Sequence, residues 1–457
     1  MANGDRKPAN DDVPSISAPL EDVSRLLIRE WLLLAAAVMV CLPAPVLRLG
    51  EVTGAYHADI PVAAEAVIYG LSIFAAATLL TWASEVAETE VSAGLALVVL
   101  ALIAVLPEYA VDLYFAIRAP HVEQCIAENI PMDCEDPHPS HLAIANMTGG
   151  NRLLVGLAWP VIFGIFYLRT KISPMPIQKD NSLGILFLGL ATLYSFTIPL
   201  RGELSLIDTG IMFGLFAGYL FIASRSPPEL EREFVGPAAA IGALRRNARR
   251  ATVLGIFGFA AAVIFAAAEP FADGLVNTGE DVGIDEFLLV QWVAPLASES
   301  PEFILAGMLA ARGRHDAGMT ILISSKVNQW TLLIGSLPLA YSISGTTMSP
   351  LDFDARQSEE VLLTAGQSLF AVAILVSLSM GRWEAIALAA LFVTQFAFTD
   401  TTIRLFYAGA YCALAAAIFV RDIPHLPTFY RAAKDTWKDP GGNHEDDDDT
   451  PPKTGPP

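Results

Sequence analysis

Charge is what this chain has little of. Only 17% of its 457 residues are Asp, Glu, Lys or Arg, and the basic ones are scarcer, 28 against 48 acids. The net charge of −20 argues against nucleic acid as a partner, since a polyanion would be repelled. Histidine is rarer still: seven residues, all in loops, tails or the edges of apolar blocks. There is no HExxH, and no Ser–His or Cys–His pairing inside an apolar block, so the usual residue sets of an intramembrane enzyme are missing. No cofactor is expected. The four cysteines are not spaced for a metal site. Cys41 and Cys412 lie in apolar blocks and read as small core residues. Cys125 and Cys134 flank a short polar loop and are placed to pair if that loop faces an oxidising compartment.

Apolar residues are abundant instead, at 54% of the chain, and they come in blocks of about 20. At 1.5 Å per helical residue such a block matches the ~30 Å of hydrocarbon in a bilayer. Lipid offers no hydrogen-bond partner to a backbone, so the blocks must be helices. Twelve spans are expected, at 30–48, 61–83, 91–117, 141–168, 182–200, 205–223, 251–272, 283–311, 317–342, 358–379, 383–399 and 402–421. The fold class is therefore an all-α polytopic membrane protein. The first 25 residues are polar, which makes the first block a spanning helix rather than a cleaved signal. The acidic end "HEDDDDTPPKTGPP" cannot bury enough apolar surface to fold, and disorder is expected over 422–457.

The linker 224–250 carries Arg225, Arg232, Arg245, Arg246, Arg249 and Arg250, which places it in the cytoplasm by the positive-inside rule. Alternation then puts "RTKISPMPIQK" and "RGRH" inside, and the acidic 118–140 and 273–282 segments outside with the Cys125/Cys134 loop. Both termini, including the tail 1–29, come out cytoplasmic, and a plasma (inner) membrane is expected. Only the acidic turn "SEVAETE" sits poorly with this scheme.

The halves echo each other. "ALIAVLPEYAVDLYFAIRA" and "APLASESPEFILAGMLAAR" share a Pro-Glu pair at similar depth. Each is followed by a helix of small, polar and basic residues, "NMTGGNRLLVG" and "SSKVNQWTLLIG". "RGELSLIDTGIMFGLFAGYLF" resembles "GRWEAIALAALFVTQFAF" in the same way. An odd number of spans separates the matched helices, so the halves have opposite orientation, as in inverted-repeat transporters.

Proline inside a helix frees a carbonyl, and those freed near Pro107 and Pro301 can point at a cation. An acid at mid-membrane costs at least ~2.5–3.5 kcal/mol and needs a partner or a water-filled cavity. Glu108 and Asp112 share one helical face, and Glu299 and Glu302 share another. These four are the candidate cation ligands. The bland alternative makes one acid a structural partner of Arg152 or Lys326, but two Pro-Glu pairs in mirrored positions weigh against it. Asn146, Asn151, Asn328 and Gln329 offer carbonyl oxygens suited to sodium or calcium, though each alone could be interhelical glue. Glu65 and Glu269 lie near span ends, where they meet water.

These paired motifs resemble the alpha repeats of the sodium/calcium exchanger superfamily, the cation:calcium antiporters. The resemblance covers 61–223 and 251–399, two inverted five-helix repeats, leaving the helix and loop 30–60 and the helix 400–421 as additions. It implies ion sites built around Glu108 and Glu302, with Ser298, Asn146 and Asn151 as retained motif positions. This chain departs from the motif at Ala104 and Val105, where hydroxyls are expected, at Glu299, which replaces a hydroxyl, and at Lys326, which replaces an asparagine. A lysine ammonium has three donors and no acceptor, so it occupies a cation position with its own charge. Buried lysines lose their proton more readily, which favours a proton as coupling ion and fewer bound metal ions. The resemblance thus implies an antiporter exchanging Na+ or H+ against Ca2+ or another inorganic cation by alternating access. Sodium/proton exchange without calcium is the rival, and a channel or scaffold is the more distant one.

Overall fold

The computed structural model describes residues 20–54, 60–87, 105–127, 139–225, 234, 236–346, 348–396, 398 and 400–438. Almost all of them are helical. The helices are α1 Leu20–Cys41, α2 Pro43–Thr53, α3 Val62–Ala87, α4 Leu106–Ala127, α5 Pro139–Leu153 and α6 Trp159–Thr170. Next come α7 Asn181–Ser195, α8 Thr197–Arg201, α9 Leu206–Ala223, α10 Pro237–Gly242, α11 Arg246–Val282 and α12 Glu286–Ala311. The last are α13 His315–Asn328, α14 Ile334–Gly345, α15 Ala355–Leu375, α16 Arg382–Gln395, α17 Thr401–Asp422 and α18 Leu426–Lys438. Eight helical stretches among the described residues are long and apolar enough to cross a membrane. The helices that carry the Pro-Glu pairs, α4 and α12, are not among the eight; their acids need the interior of the bundle rather than lipid.

Four two-residue strands reveal the internal symmetry. β1 Met175–Pro176 pairs with β4 Ser379–Met380, and β2 Glu203–Leu204 pairs with β3 Leu351–Asp352. β1 follows α6 and β3 follows α14, while β2 precedes α9 and β4 precedes α16. Exchanging the halves therefore maps one ladder onto the other. The 21-residue stretch Asn181–Arg201 separates β1 from β2, a rise of ~31 Å at 1.5 Å per residue. The ladders thus lie on opposite membrane faces, and an operation that swaps them inverts the repeat. Matching details support this: π-helical turns at Leu154–Ala158 and Gln329–Leu333 interrupt equivalent helices. Asp208 and Glu384 accept from the backbone N–H three residues earlier, at 2.7 and 2.6 Å, at the starts of α9 and α16.

The structure corrects several expectations. The first span, expected at 30–48, is two helices that part at Leu42, because Pro43 cannot donate into the preceding turn. The linker 224–250 contains α10, whose Ala238 and Ile241 are buried. Part of the tail expected to be disordered is α18, with Ala432, Ala433 and Thr436 buried and Trp437 stacked on Phe187. Its apolar face covers α7, which acidity further along the tail obscured. Of the loops expected at 118–140 and 273–282, residues 118–127 belong to α4 and 273–282 to α11, which runs to Val282. Cys125 is disulfide-bonded, while its expected partner Cys134 lies outside the described residues, as does 88–104, which includes the first half of the third span. Cys41 and Cys412 are free thiols.

Candidate cation site

The two mirrored helices meet in the middle of the bundle. α12 packs against α5, and α5 against α4. That close approach requires glycine at 149, where a Cβ would lie 1.8 Å from the Gln291 carbonyl oxygen; a Cβ on Gly150 would lie 2.4 Å from Glu299 Oε1 and push that carboxylate aside. A small cavity of about 10 Å³ results, and Glu108, Asp112, Asn146, Ser298, Glu299 and Gln329 supply its polar lining. Glu108, Asp112 and Glu299 are each buried to 4% exposure or less.

Amides hold the carboxylates from one side only. Asn146 Nδ2 donates to Asp112 Oδ1 at 2.8 Å, and Gln329 Nε2 donates to Glu299 Oε1 at 2.8 Å. The other oxygens, Asp112 Oδ2, Glu299 Oε2 and Glu108 Oε2, are buried without a hydrogen-bond partner, and so are the amide oxygens of Asn146 and Gln329. Buried oxygens normally find donors, so a cluster left open in this way is suited to a cation. Among the described residues no three acids, imidazoles or thiols stand close enough to form a ready metal shell. A bound cation therefore needs amide or backbone oxygens beside the carboxylates.

Several residues expected at the site lie elsewhere. Glu302, the Pro-Glu residue of α12, stands just outside this lining; its Oε2 is buried without a hydrogen-bond partner, and it is near enough to Glu108 for their charges to interact. Glu299, three residues earlier, takes the inner place. Pro301 does not break its helix, which runs through Pro295 and Pro301 to Ala311. Pro295 leaves the Gln291 carbonyl without its usual donor, and Ser298 Oγ turns back to the Ala294 and Pro295 carbonyls at 3.3 and 3.4 Å. Asn151 also misses the cavity. Its Oδ1 accepts from Lys326 Nζ at 2.7 Å and its backbone carbonyl accepts from the same ammonium at 3.2 Å, while the Trp330 ring lies 4.5 Å from that nitrogen. Lys326 is thus fixed by Asn151 rather than by Glu299 or Glu302.

Arg152 is a correction. Its guanidinium turns away from the cavity to Glu360 on α15, with Nη2 2.5 Å from Oε2. The sequence offered no hint of this, because Glu360 lies more than 200 residues away. Gln329 was legible only as one of several amides, and Gly150 only as a small residue in the motif. Glu269 pairs with Arg48 of α2, an interaction within a half-exposed polar cluster.

A polytopic bundle whose inverted halves bring acid-bearing helices to one buried cavity is a secondary-active cation antiporter, a transporter integral to the membrane. The chain belongs to the sodium/calcium exchanger protein family, whose model matches residues 61–225 and 252–399. It is similar to the crystal structure of an H+/Ca2+ exchanger, CAX, at 40% identity over 90% of this chain and 98% of that one, with a TM-score of 0.80. The structure of native YfkE shares the fold at 16% identity, covering 80% of this chain and 97% of that one, with a TM-score of 0.54. Comparison with curated protein sequences gives no significant match.

Proposed function

We propose that the protein exchanges protons against calcium by alternating access, with Glu108, Asp112 and Glu299 as the shared binding groups. The observation that carries this reading is the set of partnerless carboxylate oxygens converging on one small cavity. Glu302, beside Glu108, passes ions and protons between water and the cavity. Asn146, Ser298 and Gln329 complete the shell with neutral oxygens. Lys326, held by Asn151, places an ammonium near the cavity, while the charge of Arg152 is spent on Glu360. The three cavity carboxylates, with Glu302 beside Glu108, outnumber this one ammonium, leaving enough negative charge to hold a divalent cation; in its absence protons neutralise the acids. Identity of 40% to an H+/Ca2+ exchanger supports a proton rather than sodium as counter-ion.

No cofactor takes part; the inorganic cations are substrates and the bilayer is the only other partner required. The termini and the Arg245–Arg250 region face the cytoplasm of a plasma (inner) membrane, in keeping with the basic residues Lys171, Arg312 and Arg314 at the same face. The test is uptake of labelled calcium into proteoliposomes under imposed pH and sodium gradients. Uptake driven by an outward proton gradient is expected, and uptake driven by sodium alone would refute proton coupling.

A further inference from the structure

Outside the cavity the bundle buries a second set of charges. Arg152, Glu359, Glu360 and Arg404 are each 4% exposed or less. Glu360 lies between two guanidinium groups: Oε2 is 2.5 Å from Arg152 Nη2, and Oε1 pairs with Arg404 Nη1. Glu359 Oε1 lies 3.7 Å from Arg404 Nε on the far side. Two acids and two bases balance, so no net charge is left in the low-dielectric interior.

The cluster joins helices of different origin. Arg404 belongs to α17, beyond the residues matched by the family model. Arg152 is the residue after Asn151, which holds Lys326, and two after Gly150, which fits against Glu299. The Arg152 guanidinium lies 5.0 Å from the Trp292 ring of α12, and the Arg152 carbonyl accepts from Gln367 Nε2 of α15 at 3.3 Å. The rotation and depth of α5, on which the cavity depends, are therefore tied through Arg152 to α12, α15 and α17.

We propose that the Arg152–Glu360–Arg404 cluster positions the cation site, so that the C-terminal helix α17 is a working part of the exchanger rather than an appendage. Glu360 fixes the Arg152 side chain, and Arg152 fixes the turn of α5 that presents Asn151 to Lys326 and Gly150 to Glu299. Arg404 supplies the second charge; without it Glu360 is held from the Arg152 side alone and free to shift. A buried acid stripped of one of two cations moves toward the other or draws in water, and either response displaces α5.

This inference rests on the proposed cation site, and one experiment separates the two. Full-length protein and its Glu360→Gln, Arg404→Gln and Arg404→Lys variants are reconstituted, and calcium, sodium and proton flux are measured per folded protein alongside melting temperature. The parent's own flux decides the transport reading; the ratio of each variant to the parent decides this one. For both glutamine variants the cation concentration at half-maximal flux should rise roughly tenfold, as when a group supporting a metal ligand is removed. Arg404→Lys, which keeps the charge but not the fork, should recover most of that loss. Should a glutamine variant not fold, Glu359→Gln loosens Arg404 from one side only and should raise half-saturation in the same direction. Half-saturation equal to the parent's, with only the melting temperature lowered, would overturn the proposal and leave the cluster a staple of the fold.

Discussion

At the scale of residues, the site depends on carboxylate oxygens left without donors. Glu108→Gln and Glu299→Gln remove one charge each while keeping shape. Losing a charged contact costs about 1.5–3 kcal/mol, so apparent calcium affinity should fall ~10–100-fold in transport assays on folded protein. Glu302→Gln should slow exchange as well, given the relay role proposed for Glu302 beside Glu108. Near-normal flux by all three would refute the assignment. Protons compete for the same oxygens, so lowering the pH must weaken calcium binding, by up to ~tenfold per pH unit for each proton displaced. Lys326→Asn tests the charge balance: it removes a cation beside the acids and frees Asn151 Oδ1. This variant should bind calcium more tightly and depend less on pH; a profile matching the parent across a pH series would make Lys326 structural. The acids were readable in the sequence because polar residues inside apolar blocks are conspicuous. The pairings were not, since Gln329 reaches Glu299, and Glu360 reaches Arg152, from other helices.

Helix against helix, the fit is set by the smallest side chains. α5 can approach α12 because Gly149 faces the Gln291 carbonyl and Gly150 faces Glu299. A methyl group at either position meets backbone or a site carboxylate, neither of which can yield without moving the cavity. Gly150→Ala should therefore destabilise the protein by about 1–3 kcal/mol, as overpacking does, and depress exchange beyond the loss of folded protein. Thermal unfolding and flux measured on the same preparation check this, and unchanged flux would show that the cavity tolerates a wider helix spacing. The helices themselves were legible from hydropathy. Their ends were not: α11 and α4 continue past the apolar residues, because polar turns beyond the hydrocarbon remain hydrogen-bonded within the helix.

For the molecule as a whole, two ladders on opposite faces and one inverted repeat tie ion binding to orientation. Cysteines introduced one at a time at Arg245, Arg246 and Arg249 should resist impermeant reagents in right-side-out vesicles and react after permeabilisation. Labelling from outside would reverse the topology. Composition, block length and mirrored Pro-Glu pairs sufficed to define an all-α membrane protein of two inverted halves, because the cost of exposing backbone or charge to lipid leaves few alternatives. Which carboxylates share a cavity, and which cation serves which acid, depended on helix rotation and interhelical distance. Spacing along one helix gives the face a residue occupies, but not what stands opposite. Only tertiary packing could turn Arg152 toward Glu360, place Lys326 on Asn151, and bring Glu299 rather than Glu302 into the cavity lining with Glu108 and Asp112.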